Sequence, residues 1–187
     1  ITQDQGDLIL LSRADTDFDG RMDTFIEYAG GSKLEQTEDR NGDRKVDAVY
    51  RFDENGNVEL EKLDDDYDGH FEVVSERSNG KLVRRSVDVK GKGSPQRIEQ
   101  FDANEKLIQV QLDENVDGRI DVWNFYQGDK VLVRQEQDRD FDGRPDTWIE
   151  LDPATGKEKV VRRDTDGDGK PDSWRQNDSA GGAQRLQ

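Results

Sequence analysis

Apolar and polar positions alternate along this chain in stretches too short for helices. TFIEY, AVYRFD, VWNFY and TWIELD are rich in β-branched and aromatic side chains. Turn residues follow, such as ENG, SNG or ATG, and then a second stretch such as NVELEKL, KLVRRSV or KVLVRQEQ. Runs of about five to seven such residues, bounded by Gly, Asn and Asp, are strand and hairpin signals. No 3.6-residue periodicity of useful length is present, so the pattern predicts two strands per unit and very little helix.

An acidic loop precedes each hairpin. The loops are DTDFDGRMD from Asp15, DRNGDRKVD from Asp39, DDDYDGHFE from Asp64, DENVDGRID from Asp113, DRDFDGRPD from Asp138 and DTDGDGKPD from Asp164. A worn copy, DVKGKGSPQ, starts at Asp88. The starts are 24 to 26 residues apart, and a fixed period of that size marks a repeat architecture. The expected fold is all-β: an antiparallel meander of about seven hairpin repeats of ~25 residues. It is expected as one curved sheet with the acidic loops along one edge. Residues 1–176 read as a single β-repeat domain, with a partial unit at 1–14 and units starting at 15, 39, 64, 88, 113, 138 and 164. GDLILLSRA resembles the second half of a preceding unit, so the start reads as a processing site or an artificial boundary. Residues 177–187, NDSAGGAQRLQ, read as a flexible tail.

One column is apolar in every unit: Phe25, Val49, Val74, Ile98, Trp123, Trp148 and Trp174. Alternation along strands puts these seven on one face. A second column falls three residues later, at Tyr28, Phe52, Phe101, Tyr126 and Leu151, broken by Arg77 and Asn177. The odd spacing requires either a bulge or the use of both faces. Both columns read as core, with an exposed aromatic ladder gripping sugar or a partner as the sharper alternative.

Composition limits that core. Leu, Ile, Val and Phe number 41, or 22% of the 187 residues, close to the level of about 20% below which highly charged chains are disordered. Something besides apolar burial must help the chain fold. The formal charge of −16 argues against nucleic acid, whose binders carry basic patches, and against anionic membrane surfaces. No apolar run approaches the roughly 20 residues of a membrane span. There is no cysteine, and therefore no disulfide, thiolate metal site or cysteine nucleophile.

The loops carry the chemistry. Hard divalent cations take oxygen ligands, six to eight for Ca²⁺. In D-x-D-x-D-G-x-x-D, positions 1, 3, 5 and 9 supply side-chain oxygens, position 6 makes the sharp turn and position 7 offers its carbonyl. The expected ligands are Asp15, Asp17, Asp19, Arg21 and Asp23; Asp39, Asn41, Asp43, Lys45 and Asp47; and Asp64, Asp66, Asp68, His70 and Glu72. The later loops offer Asp113, Asn115, Asp117, Arg119 and Asp121; Asp138, Asp140, Asp142, Arg144 and Asp146; and Asp164, Asp166, Asp168, Lys170 and Asp172. Arg21, Lys45, His70, Arg119, Arg144 and Lys170 enter by backbone carbonyl alone. Arg44 replaces the expected glycine in the second loop, so its turn is expected to differ. Position 8 is apolar throughout (Met22, Val46, Phe71, Ile120, Pro145 and Pro171) and is expected to pin each loop to the body. In the worn unit, Lys90 and Lys92 occupy positions 3 and 5 and Gln96 position 9, so no metal is expected there.

Position 12 lacks the bidentate Glu of an EF-hand, and the flanking segments read as strand. The loops instead resemble the D-x-D-x-D-G-x-x-D calcium loops between strands of integrin α-chain propellers and their bacterial FG-GAP and VCBS relatives. YRFDENGNVELEKLD (50–64) and IEQFDANEKLIQVQLD (98–113) resemble the YD repeats of RHS-type bacterial surface and toxin-shell proteins. That resemblance implies hairpins building a long curled antiparallel sheet. The metal loop in each unit departs from it.

Paired carboxylates can serve glycosidase chemistry, but a catalytic pair is singular and this pattern recurs six times. His70 is the sole histidine and is expected to be exposed; no nucleophile, base or phosphate-binding glycine loop is discernible, and no enzyme activity is expected. The 22 acidic ligand residues are half of the 44 acids, and six Ca²⁺ ions would add twelve charges, taking −16 to −4. The expectation is a calcium-stabilised β-repeat module with a structural or adhesive role in an extracellular, cell-surface or periplasmic setting, of bacterial origin. Self-association through open sheet edges is one expected partnership; a glycan or surface protein is the other. A calcium-dependent glycan- or protein-binding module, or a fragment of an RHS-like shell, are the alternatives.

Overall fold

The computed structural model describes residues 10–128 and 130–177, and the backbone of 183–185. No helix occurs among the described residues. Strand order follows chain order throughout, as an open antiparallel meander. Two compact units divide the chain, Ile1–Gly91 and Lys92–Gln187.

The first unit holds β1 (Leu10–Ala14), β2 (Thr24–Ala29), β3 (Ser32–Glu38), β4 (Ala48–Phe52), β5 (Val58–Leu63), β6 (Val73–Ser78) and β7 (Lys81–Val87). The second holds β8 (Arg97–Phe101), β9 (Leu107–Leu112), β10 (Val122–Gln127), β11 (Val131–Gln137), β12 (Thr147–Leu151), β13 (Glu158–Arg163), β14 (Ser173–Asn177) and β15 (Ala183–Arg185). Long acidic loops and tight turns alternate, so within each unit the loops gather at one end of the strands and the turns at the other. Asn79 and Gly80 show how the turns work: both have positive φ, 51° and 77°, as a two-residue hairpin turn of the favoured twist requires.

Burial does not follow the aromatic column. The buried hydrophobics are Ala48, Val73, Val110, Val122, Ile149 and Val161. These residues alternate with the expected core column and therefore share the opposite face. Phe25, Val49, Val74, Ile98, Trp123 and Trp148 are half-buried, and Trp174 is 37% exposed. The expectation that this column forms the core is corrected: the better-buried face carries Ala48, Val73, Val110, Val122, Ile149 and Val161, and Phe25 and the three tryptophans lie on the other with Val49, Val74 and Ile98. That inner face also carries polar groups that bond to one another. Gln135 donates to Asn124 at 2.7 Å and Gln137 to Gln135 at 2.5 Å.

The odd spacing of the second column resolves as a bulge. Register shifts lie between Glu27 and Tyr28, Arg51 and Phe52, Gln100 and Phe101, Phe125 and Tyr126, and Glu150 and Leu151. Each falls immediately before a member of that column. The same shift separates Glu76 from Arg77, so the bulge belongs to the unit and not to the apolar residue. Asn177, where the tail was expected to begin, closes β14, and the backbone of Ala183–Arg185 pairs with β14. Residues 1–9, which contain the start of the GDLILLSRA stretch, and 178–182 lie outside the described residues.

Candidate metal centres

Each acidic loop joins an odd-numbered strand to the next even-numbered one: β1 to β2, β3 to β4 and β5 to β6, then β9 to β10, β11 to β12 and β13 to β14. All six are tied by one recurring set of hydrogen bonds. The position-6 amide donates to the first Asp: Gly20 to Asp15, Arg44 to Asp39, Gly69 to Asp64, Gly118 to Asp113, Gly143 to Asp138 and Gly169 to Asp164, at 2.6 to 2.9 Å. Position-5 amides donate to the oxygens of Asp17, Asn41, Asp66, Asn115, Asp140 and Asp166 at 2.8 to 3.2 Å. Position-7 amides of Arg21, Lys45, His70, Arg119, Arg144 and Lys170 donate to Asp19, Asp43, Asp68, Asp117, Asp142 and Asp168 at 2.8 to 2.9 Å. Position 9 closes the ring. Asp23, Asp47, Glu72, Asp121, Asp146 and Asp172 accept from the position-2 amide at 2.6 to 2.9 Å.

Short polar side chains bonding to nearby backbone amides favour turns over strand, which is why six regions so rich in carboxylates wrap into rings. Arg44 does not alter the turn as expected. It takes φ 74° and donates to Asp39 like the glycines, so the second loop keeps the geometry at the expense of left-handed strain.

The rings bring the expected ligands together. One oxygen from each of Asp64, Asp66, Asp68 and Glu72 lies within 4.8 Å of the others; so do sets from Asp15, Asp17 and Asp19, from Asp138, Asp140 and Asp146, and from Asp164, Asp166 and Asp172. In the loops from Asp39 and Asp113, position 3 is the neutral Asn41 or Asn115. The position-7 side chains, His70 among them, are exposed.

Several of these carboxylates are among the most buried groups of the chain. Asp47, Asp64, Asp113, Asp121 and Asp138 are 1 to 3% exposed. Oδ1 of Asp15, Asp47 and Asp121 is buried without a hydrogen-bond partner. A buried ionised carboxylate oxygen with no partner is costly, and a cation is the partner its chemistry fits. Threonine at position 10 relieves the same atom elsewhere: Thr24 donates to Asp23 at 2.8 Å and Thr147 to Asp146 at 2.6 Å. Ala48 and Val122 stand there in the loops of Asp47 and Asp121, whereas Asp15, at position 1 of its loop, is orphaned although Thr24 follows the ninth carboxylate.

The hydrogen bonds also hold some carboxyls in their charged form. Desolvation pushes Asp23 up, but bonds from Thr16, Thr24 and Asp17 outweigh it and hold the group below its ordinary value. Asp164 behaves alike, with desolvation outweighed by the amides of Gly169 and Gly167. The hydroxyl and amide of Thr165 lower Asp172.

Successive loops are chained together. The first amide of each donates to the ninth carbonyl of the one before: Asp39 to Asp23, Asp64 to Asp47, Asp138 to Asp121 and Asp164 to Asp146, at 2.7 to 2.8 Å. Position 7 adds a side-chain contact. Lys45 Nζ lies 3.5 Å from the point where a Cβ on Gly69 would stand, and an Arg119 guanidinium nitrogen lies 3.6 Å from that of Gly143. A cation from one acidic loop is thereby laid against the next. Between the last two loops is a cleft of about 330 Å³ whose lining includes Asp140, Asp142, Arg144, Arg163 and Asp164.

Two features escape sequence reasoning. Position 8 does not pin the loops uniformly, since Met22 and Val46 are 51% and 41% exposed and Pro171 is also exposed; the loops are anchored by backbone bonds such as Asp47 to Glu38 at 2.7 Å. The hydroxyls at positions 2 and 10, from Thr16, Thr165, Thr24 and Thr147, serve the ninth carboxylate. Their uneven recurrence across the units hides them from a motif.

No family model matches the sequence, and no curated protein matches it. A solved structure, that of accessory secretory protein 1, 2 and 3 of Streptococcus pneumoniae, is similar at 18% identity with a TM-score of 0.38. The match covers 62% of this chain and 20% of that one, so this chain spans about a fifth of its length.

Proposed function

We propose that this chain is a calcium-stabilised β-repeat module with a structural or adhesive role at a cell surface. The observation that carries the reading is the orphaned Oδ1 of Asp47 and Asp121, buried in loops whose other oxygens are held by one repeated bonding pattern. Oxygen-only donor sets with flexible carboxylate geometry suit Ca²⁺ better than Mg²⁺, which keeps its waters. Positions 1, 3, 5 and 9 and the position-7 carbonyl of the six loops would hold the ions. The ions would supply the positive charge that a chain of −16 needs between neighbouring acidic rings. Binding of this kind is folding free energy.

Extracellular calcium modules have affinities of about 10⁻⁴ to 10⁻³ M; sites of that strength would fill outside the resting cytosol and stay empty within it. Isothermal titration of chelated, dialysed protein with CaCl₂ tests the reading. Uptake of close to six ions, with Mg²⁺ failing to compete at equal concentration, supports it. No heat of binding at millimolar Ca²⁺ overturns it.

A further inference from the structure

The second unit carries a feature that the metal loops do not use. Cross-strand register aligns Trp123, Glu136, Trp148, Arg162 and Trp174 in one row across β10 to β14. The row lies on the less buried face. Partnered strands sit about 4.8 Å apart, so successive tryptophans recur at about 10 Å. The charged groups between them are already matched: Arg162 donates to Glu150 at 2.8 Å, and Arg134 lies 3.4 Å from Glu136 and stacks over Phe125 at 3.8 Å. These two cations and two carboxylates cancel, on a chain of −16.

We propose that the tryptophan row binds a neutral, extended, β-linked polysaccharide strand. Indole rings offer flat apolar surfaces with a polar handle, matched to the C–H faces of pyranose rings. Their repeat is close to the length of a disaccharide in an extended β-linked chain, so every second sugar meets an indole. Glu136 and Arg162, between the rings, are placed to bond hydroxyls. A protein partner fits worse, because interface cores are depleted of charge and drying the Arg162–Glu150 pair carries a desolvation penalty. Polyanions need a positive surface, and these matched charges supply none. The row shares no residue with the metal loops. In saturating calcium its failure is separate from failure of the metal reading.

The test is affinity electrophoresis of the whole chain in calcium through gels containing hydroxyethylcellulose, xylan or galactomannan, with hyaluronan as the anionic comparison. Retardation by at least one neutral polymer and not by hyaluronan is expected. Trp148→Ala should weaken it about tenfold, the scale of one lost aromatic contact, and Trp148→Phe should retain most of it. Acrylamide quenching of the wild-type fluorescence, reduced by the bound polymer, gives a readout that does not depend on the variants folding. No retardation and unchanged quenching with all three neutral polymers overturns the proposal. So does binding undiminished by Trp148→Ala and Trp174→Ala, or a stable dimer that shields the tryptophans without any polymer.

Discussion

Arg119 lies against Gly143, one loop further along the chain, with a guanidinium nitrogen 3.6 Å from the position a Cβ would take. Gly143 has φ +96°, where an L side chain is strained. The glycine thus makes the turn of its own ring and leaves room for its neighbour's cation. Gly143→Ala should destabilise the protein by about 1–2 kcal/mol from left-handed strain, measured by urea unfolding at fixed calcium. Unchanged stability would show that the ring does not constrain this residue.

The second loop makes the opposite experiment available. Arg44 occupies the glycine position at φ 74°. Arg44→Gly should relieve strain of about 1–2 kcal/mol while restoring unfolded-state freedom costing about 0.4–1 kcal/mol. A net gain of about 0.5 kcal/mol is expected. A loss in the same unfolding assay would mean that the arginine side chain contributes more than its backbone costs.

Asp121 separates the metal's role from the loop's. Its Oδ2 accepts from the amides of Glu114 and Asn115 at 2.7 and 3.1 Å, while its Oδ1 is buried and unpartnered. Asp121→Asn keeps an acceptor for the amides and removes the buried charge. The variant should melt higher than wild type in EGTA and lower than wild type in calcium. The same ordering in both buffers would refute the assignment of that oxygen to an ion.

Acid should act first through carboxyls bonded in the folded state. At the hairpin turns, the side chain and amide of Asn57 lower Asp53, and the amide and hydroxyl of Thr155 lower Asp152. A lowered folded-state pKa contributes stability above the unfolded value of 3.8, and that contribution fades as pH falls through the lower, folded value. Asp152→Asn should therefore narrow the difference in melting temperature between pH 6 and acid relative to wild type. An identical pH profile would remove Asp152 from the account.

Much of this was legible in the sequence for a physical reason. A ring of backbone amides and carboxylates is a local structure, so its residues sit at fixed offsets such as Asp15, Asp17, Asp19 and Asp23. Strand number and turn position follow from equally local signals. The face of burial does not. Trp123 and Trp148 are the most apolar-looking positions of their strands, yet Val122, Asn124, Thr147 and Ile149 are the buried ones. Alternation identifies two faces; which one is crowded depends on tertiary packing, and small side chains occupy it. The orphaned Oδ1 atoms of Asp47 and Asp121 were equally hidden, because no threonine follows these ninth carboxylates as Thr24 and Thr147 follow Asp23 and Asp146.

The account rests on cations holding the acidic rings, and a melt followed by far-UV circular dichroism in millimolar calcium and again in excess EGTA tests this most directly. It predicts that chelation lowers the melting temperature sharply or abolishes the strand signal, with recovery on adding calcium back. Superimposable melts in the two buffers would contradict it.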